Sequence, residues 1–552
     1  MRHQRAGGRE PPPPLLGAAG LAVAALAVLP LAYLLVRALG DGLPDLAGVL
    51  FEGRTGSLLA HTAGLTAAVT AAAVVLAVPL AWLTVRSDLP GRRVFAVLTA
   101  LPLAVPSYVG GYAFVAAFGP RGLVQGWLEP FGVDRLPSLY GFWGAFLVLT
   151  FSTYPYVLLT VRAALAGLDP ALEEAGRSLG RSSLATFFSV VLPQLRPSIG
   201  AGALLVALYS LHDFGAVNML KFDSFTRAIY QQYQSAFDPA RAAALGLVLV
   251  ALTVAVLSVE AGARGRIGVP RARGRGQARV VLLGAWRWPA TVTSGAVVAL
   301  GLGLPLGIIS YWLFRGGAAG ESLRLTAVLA GRSLQVAAVG AAMAVLAAGP
   351  VAVLAARHPG RLARLVERGS FVGYALPGIV VALSLVFFGT RVVPALYQTR
   401  TMLVGAYVIL FLPQAVGALR ASLLQISPSL EEAARSLGCE RRGVWWRVML
   451  PLVRPGLVAG FGLVFLTAMK ELPATLLLAP IEFTTLATQV WGATSEALFA
   501  RAAAPALAIV ALSALPLLLP GRVRRRLGPP GAQNPGAAPE TSARPLSELR
   551  AS

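Results

Sequence analysis

The residues that most invite a chemical reading are two acids inside apolar sequence. Asp213 and Glu471 each stand about 15 residues into a run long enough to be a membrane helix, roughly 22 Å along it at 1.5 Å per residue. Both then lie past the midplane, toward the outer side. An ionised carboxylate at the centre of a membrane helix costs at least about 2.5–3.5 kcal/mol on insertion scales, and marks a functional site by default. The two are 258 residues apart. Facing each other across a pseudo-twofold axis, they would suit a path for a small hard cation, which prefers oxygen donors. The alternative is local: each carboxylate pairs with its neighbour, His212 or Lys470, or meets water at the helix end. The two roles are compatible.

The spacing of 258 extends well beyond that pair. Leu172–Ser198 reads LEEAGRSLGRSSLATFFSVVLPQLRPS and Leu430–Gly456 reads LEEAARSLGCERRGVWWRVMLPLVRPG, without a gap and with 13 of 27 positions identical. The register runs upstream through Pro155/Pro413, Arg162/Arg420 and Pro170/Pro428. Downstream it runs through Phe225/Phe483, Thr226/Thr484 and Gln231/Gln489. Pro170 and Pro428 suit the first turn of a helix, and Glu173, Glu174, Glu431 and Glu432 suit its positive end. Gly180 and Gly438 then end it. Leu192-Pro193 and Leu450-Pro451 precede the next membrane helix. One such piece reads as an amphipathic helix lying on a membrane; two gapless copies argue for a paired docking element.

Composition identifies what must hold these residues. Of 552 residues, 56% are hydrophobic and 13% charged, against about 25% charged in soluble chains. That excludes a soluble enzyme, a disordered chain and a coiled coil. Twelve apolar segments follow one another from 15–37 to 502–520, the third being 94–118, the fifth 198–222, the ninth 370–390 and the eleventh 456–480. Each can cross a hydrocarbon core of about 30 Å as a helix. The first, at 15–37, exceeds a signal-peptide core and reads as an uncleaved helix. The expected fold class is an all-α polytopic membrane protein of about 12 transmembrane helices, built as two parallel six-helix repeats.

The net charge of +23 comes from 47 basic residues, of which only Lys221 and Lys470 are lysine, against 24 acids. Arginines gather in alternate loops, as in cytoplasmic loops of membrane proteins, so the charge implies membrane lipid and no nucleic acid. The loop rule places both termini in the cytoplasm. Cys439 is the sole cysteine, which excludes an internal disulfide, and the four histidines are scattered, so no metal site is assigned. No G-x-x-x-x-G-K-[ST] sequence is present, so the chain supplies no phosphate-cradling loop of that kind. Tyr108, Gly110 and Gly111 follow Pro106 in the third segment and read as a broken-helix gate or as a packing kink. Phe225-Thr226 and Phe483-Thr484 read as an outside contact or as loop packing.

The repeated run of Glu-Ala with a small residue, a glycine about five residues on, then Leu-Pro, resembles the EAA loop of ABC-importer permeases. The second copy has Glu432-Ala433-Ala434; the first departs by one residue, with Glu174-Ala175-Gly176. With SLHDFGAVNMLKFDSFTRAIYQQY from Ser210, AMKELPATLLLAPIEFTTLATQVW from Ala468 and PSYVGGYAFVAAFG from Pro106, the chain is similar to the fused two-domain ferric-iron permeases of bacteria. Thiamine and phosphonate permeases share the duplicated architecture.

The resemblance implies a permease subunit, not an enzyme, which couples ATP hydrolysis on a separate ABC ATPase to import by alternating access. It implies coupling residues Glu173, Glu174, Ala175, Gly180 and Pro193, with Glu431, Glu432, Ala433, Gly438 and Pro451. It implies two ATPase copies, which hold the ATP and Mg, an extracytoplasmic substrate-binding protein and a cell (inner) membrane location. Asp213, Glu471 and Tyr108 become the substrate-path candidates. The expected units are an N-terminal tail 1–14, a first repeat 15–262 with coupling loop 170–197, and a basic linker 263–287. A second repeat 288–520 with coupling loop 428–455 and a disordered cytoplasmic tail 521–552 follow. A twelve-helix secondary transporter is the rival, and it gives no reason for the duplicated loop.

Overall fold

The computed structural model describes residues 13–40, 43–120, 122–133, 135–236, 238–264, 280–318 and 323–518. Residues 1–12 of the expected N-terminal tail, the expected tail 521–552 and most of the basic linker lie outside the described residues, and the first helix begins at Pro14, one residue inside the expected tail. Among the described residues, nine helices are long and apolar enough to cross a membrane, or eleven if each of two bent pairs is one span. The apolar stretch Phe499–Ala514 stands where the twelfth segment was expected. The fold is all-α and polytopic, as the composition requires.

Two expected segments are not straight. In place of 94–118 stand Arg92–Ala104 and Ser107–Phe131, bent by 96°; in place of 370–390 stand Arg361–Ala375 and Gly378–Arg391, bent by 106°. Proline causes both breaks. Pro106 and Pro377 push Val105 and Leu376 into extended backbone, at ψ 114° and 115°, because the proline ring disfavours helix in the residue before it. The break therefore precedes Tyr108, Gly110 and Gly111, which lie inside the continuous helix Ser107–Phe118.

The fifth and eleventh segments are corrected at both ends. Each membrane helix starts earlier than its Leu-Pro pair, with a π-helical turn at Phe187–Val191 or Trp445–Met449. A third π turn, Ala299–Gly303, also runs into a Leu-Pro pair, Leu304-Pro305. A proline ring clashes with the carbonyl four residues back, and a local π turn opens that spacing. At their far ends the helices stop at His212 and Met469. The apolar sequence beyond forms separate short helices, Gly215–Met219 against Ser107–Phe118 and Pro473–Leu478 against Gly378–Arg391.

The halves interlock. Gly53–Arg86 packs along Phe142–Gly167 and Leu192–His212, and Leu323–Arg357 packs along Arg400–Gln425 and Leu450–Met469 in the same way. The leading helix of each half leans on the other half. Pro14–Ala38 packs on Arg361–Ser370, Leu323–Arg357 and Gly378–Arg391, and Leu304–Ala318 packs on Ser107–Phe118. The end of the linker is also tied across: Val281 N–H donates to the Arg86 carbonyl (2.8 Å), Asp88 N–H donates to the Val281 carbonyl (3.1 Å) and Leu283 N–H donates to Asp88 Oδ1 (2.8 Å).

Candidate coupling seats and substrate path

The two repeated loops form the short helices Pro170–Ser178 and Pro428–Ser436. Each begins with proline at its first position, after Asp169 or Ser427, whose side chain accepts a hydrogen bond from the N–H two residues on. Gly180 and Gly438 follow each helix at φ 80° and 82°. Arg181 N–H reaches back to the Gly176 carbonyl (3.4 Å) and Cys439 N–H to that of Ala434 (3.1 Å), the closure that a left-handed glycine permits. Space around both glycines is open. Pro193 and Pro451 lie in the second position of the following α-helices, after the π turns.

The first glutamate of each motif faces inward. Glu173 pairs with Arg86 at 3.2 Å and with Arg177 at 3.6 Å; Glu431 pairs with Arg357 at 2.8 Å. Arg86 and Arg357 end equivalent membrane helices, 271 residues apart. Their guanidinium groups also donate to carbonyls at the end of the long helix that leads into the short one, Arg86 to Leu165 (3.1 Å) and Arg357 to Ile426 (3.2 Å). Each arginine thus ties three elements: its own helix, the end of the next and the short helix beyond. Nothing in the local sequence marks the partners of either arginine.

The second glutamate, the following alanine and the leucine before the glycine face outward. Glu174, Ala175, Glu432 and Ala433 are exposed. Leu179 is 79% and Leu437 85% exposed. Gly176, where the first copy departs from the motif, is buried against Thr186, so the departure lies on the packing side.

Asp213 and Glu471 end their helices rather than sit inside them. Asp213 Oδ1 accepts from the Ala216 N–H (2.9 Å) and the Val217 N–H (3.3 Å), and Glu471 Oε1 accepts from the Ala474 N–H (3.2 Å). Both carboxylates therefore cap short helices at the end that favours negative charge. Asp213 also accepts the hydroxyl of Ser107, at the first helix break. At the second break the matching residue is Gly378, where a Cβ would stand 2.7 Å from Glu471 Oε1.

The expected local pairs do not form among the described residues. Lys470 Nζ donates to the Leu103 carbonyl of the other half at 3.0 Å, and His212 lies against Thr253. Lys470 thereby joins the break holding Ser107 and Asp213 to the one holding Glu471. Tyr108, 3% exposed, packs on Gly215 beside Asp213, and its buried hydroxyl has no partner among the described residues. Phe214 and Trp491, from opposite halves, meet at a tilt of 37° with ring centroids 5.1 Å apart.

Phe225 and Thr226 are buried, and Thr226 donates to the Asp213 carbonyl (2.6 Å), so they support the acid from within. Phe225 N–H donates to Thr62, as Leu486 N–H donates to Ser333. The structural partner of Phe225 is therefore Leu486, not Phe483, because the second half carries three more residues in that loop. Phe483 packs under Arg400, 4.8 Å away. Among the described residues no cluster of three or more histidines, cysteines or acids could hold a metal ion.

Comparison with known proteins places this geometry. The model of the "Binding-protein-dependent transport system inner membrane component" family matches twice, at residues 73–262 and 340–529. The chain is 35% identical over 496 residues, 89% of its length and 94% of the relative's, to the Fe(3+)-transport system permease protein FbpB 2 of Haemophilus influenzae. It is 31% identical to the sulfate transport system permease protein CysT of Escherichia coli over 33% of this chain and 66% of that one. It is 32% identical to the molybdenum transport system permease protein ModB of Escherichia coli over 34% and 85%. Two family matches on one chain, each containing one short helix and its arginine seat, show that this protein belongs to the inner-membrane permeases of binding-protein-dependent transport systems, as a fusion of two such domains.

Proposed function

We propose that the chain is the membrane permease of an ATP-driven importer of ferric iron. Coverage carries iron over other solutes. The ferric-iron relative shares the two-domain organisation, aligning along 89% of this chain and 94% of itself, whereas the sulfate and molybdenum relatives are shorter proteins that align along 33% and 34% of this chain. The acids support the same reading, since carboxylates at both helix breaks favour a cation and oppose an oxyanion. Iron is cargo here.

In this reading both termini and both short helices face the cytoplasm, as the arginine distribution favours. One ATPase copy seats on Leu179 and its neighbours and another on Leu437, and ATP with Mg2+ resides there. Closure of the ATPases moves the short helices. Glu173–Arg86 and Glu431–Arg357 pass that motion to Gly53–Arg86 and Leu323–Arg357. The helices packed against these end at Asp213 and Glu471, so the same motion opens the breaks to cargo from an extracytoplasmic binding protein.

The test is uptake of radiolabelled ferric iron by vesicles holding this chain, its ATPase and its binding protein. Iron uptake that needs ATP and resists excess sulfate or molybdate is expected. Accumulation of sulfate or molybdate instead of iron would reject the iron assignment and leave the permease assignment standing.

A further inference from the structure

A cavity of about 510 Å3 lies between the two halves, at the end of the molecule away from the short helices. Its volume is in the range of about 300–1,000 Å3 usual for ligand pockets. The first half contributes Tyr33 and Arg37 from the end of Pro14–Ala38, and Tyr233 from Phe225–Gln234. The second half contributes Phe387 and Arg391 from the end of Gly378–Arg391, with Tyr397 just beyond. Neither wall makes the site alone.

The two arginines decide its chemistry. Each stands in the last turn of its helix, where the dipole favours a cation. Among the described residues neither guanidinium has an ion pair or a hydrogen bond. This contrasts with Arg86, Arg357 and Arg420, each of which is paired with an acid. Two planar five-donor forks on one cavity match the tetrahedral oxygens of phosphate, and tyrosine hydroxyls add neutral donors. The walls also carry apolar surface from Val36, which is 65% exposed, and Phe387. The exposed Leu35 and Leu39 continue it along the helix surface. Tyrosine and arginine at a helix end beside exposed aliphatics is the pattern of a membrane interface.

We infer that this cavity binds a phosphate group, presented by a phospholipid whose chains lie along the first helix and which bridges the two halves. The cavity is too large for inorganic phosphate alone and has an apolar wall that such an ion would leave bare.

The test uses the full chain in detergent, titrated with phosphatidylglycerol, with phosphatidylcholine or with inorganic phosphate, and read by native mass spectrometry and thermal unfolding. Both lipids are expected to bind and to raise the unfolding temperature. Arg37→Gln and Arg391→Gln should each weaken lipid binding about tenfold, as expected for one lost charge-assisted hydrogen bond. Arg391, at an exposed helix end, keeps the test open should Arg37→Gln not fold. Inorganic phosphate that gives the same stabilisation as lipid at equal concentration would overturn the lipid source. Lipid binding to Arg391→Gln equal to that of the unchanged protein, or no stabilisation by any of the three, would overturn the phosphate site.

Discussion

A Cβ at Gly378 would stand 2.7 Å from the Glu471 carboxylate, so the longer acid of the second half occupies the place that Ser107 fills in the first. Serine with aspartate in one half and glycine with glutamate in the other are two solutions to one packing problem. A swap is therefore expected to be tolerated only in pairs. Gly378→Ser alone should lower stability by about 1–3 kcal/mol through overpacking. Adding Glu471→Asp should restore most of it, and thermal unfolding of the four proteins measures the coupling. Additive effects of the two changes would refute the relationship.

Arg86→Gln should reduce protein level more than Glu173→Gln does. Arg86, 2% exposed, also holds the Leu165 carbonyl, and leaving that acceptor and the joint between three elements unmet costs about 1–3 kcal/mol, while Glu173 keeps Arg177. Glu173→Gln is expected to leave the protein inserted and bound to its ATPase while uptake falls. ATPase binding lost with Glu173→Gln at normal protein level would place that residue on the docking face instead.

Gly180→Asp and Gly438→Asp are expected to leave insertion intact and to abolish transport. Among the described residues no atom stands within 4 Å of a Cβ added at either position, so the internal cost is the left-handed backbone, about 1–2 kcal/mol. The larger loss belongs to the docked ATPase. Co-purification distinguishes the two, and full retention of the ATPase with normal uptake in both variants would sink the docking role of this turn.

Asp213→Asn and Glu471→Gln retain an oxygen for the capped N–H groups and remove the charge. Protein level should hold, and iron uptake should fall in each and much further in the double variant. Asp213→Leu, which also loses the cap, should cost about 1 kcal/mol more in stability. Normal uptake by the double amide variant would take both acids out of the path.

A cysteine placed at 272, in a protein with Cys439→Ser, should be labelled only from the cytoplasmic side, and one at the exposed Ser235 only from outside. Label at 272 from outside would reverse the orientation on which the cytoplasmic docking of the ATPase depends.

Features that act locally were legible in the chain. Pro170 and Pro428 start helices, Gly180 and Gly438 turn left-handed after them, and both follow from the residue itself. What depends on a distant element was not. Arg86 and Glu173 meet only because the fold brings two helix ends together. Hydropathy could not separate the helix ending at His212 from the buried short helix Gly215–Met219, since both are apolar. The single spacing of 258 also misaligned Phe225, because loop insertions change it to 271 before the motif and 261 after the acids. The Leu-Pro pairs looked like helix starts, and the π turns before them carry the helix through.

Val281 remains with the second half if the chain is cut anywhere in 265–279, yet its bonds run to Arg86 and Asp88 of the first. Two separately made halves would therefore still carry a short edge-to-edge clasp, with Leu283 on Asp88 as its third stitch. The clasp closes beside the arginine that seats the first short helix, and the second seat has no counterpart to it among the described residues. A severed protein that reassembles should do so through this corner, and its two docking positions should then differ in how firmly each is held.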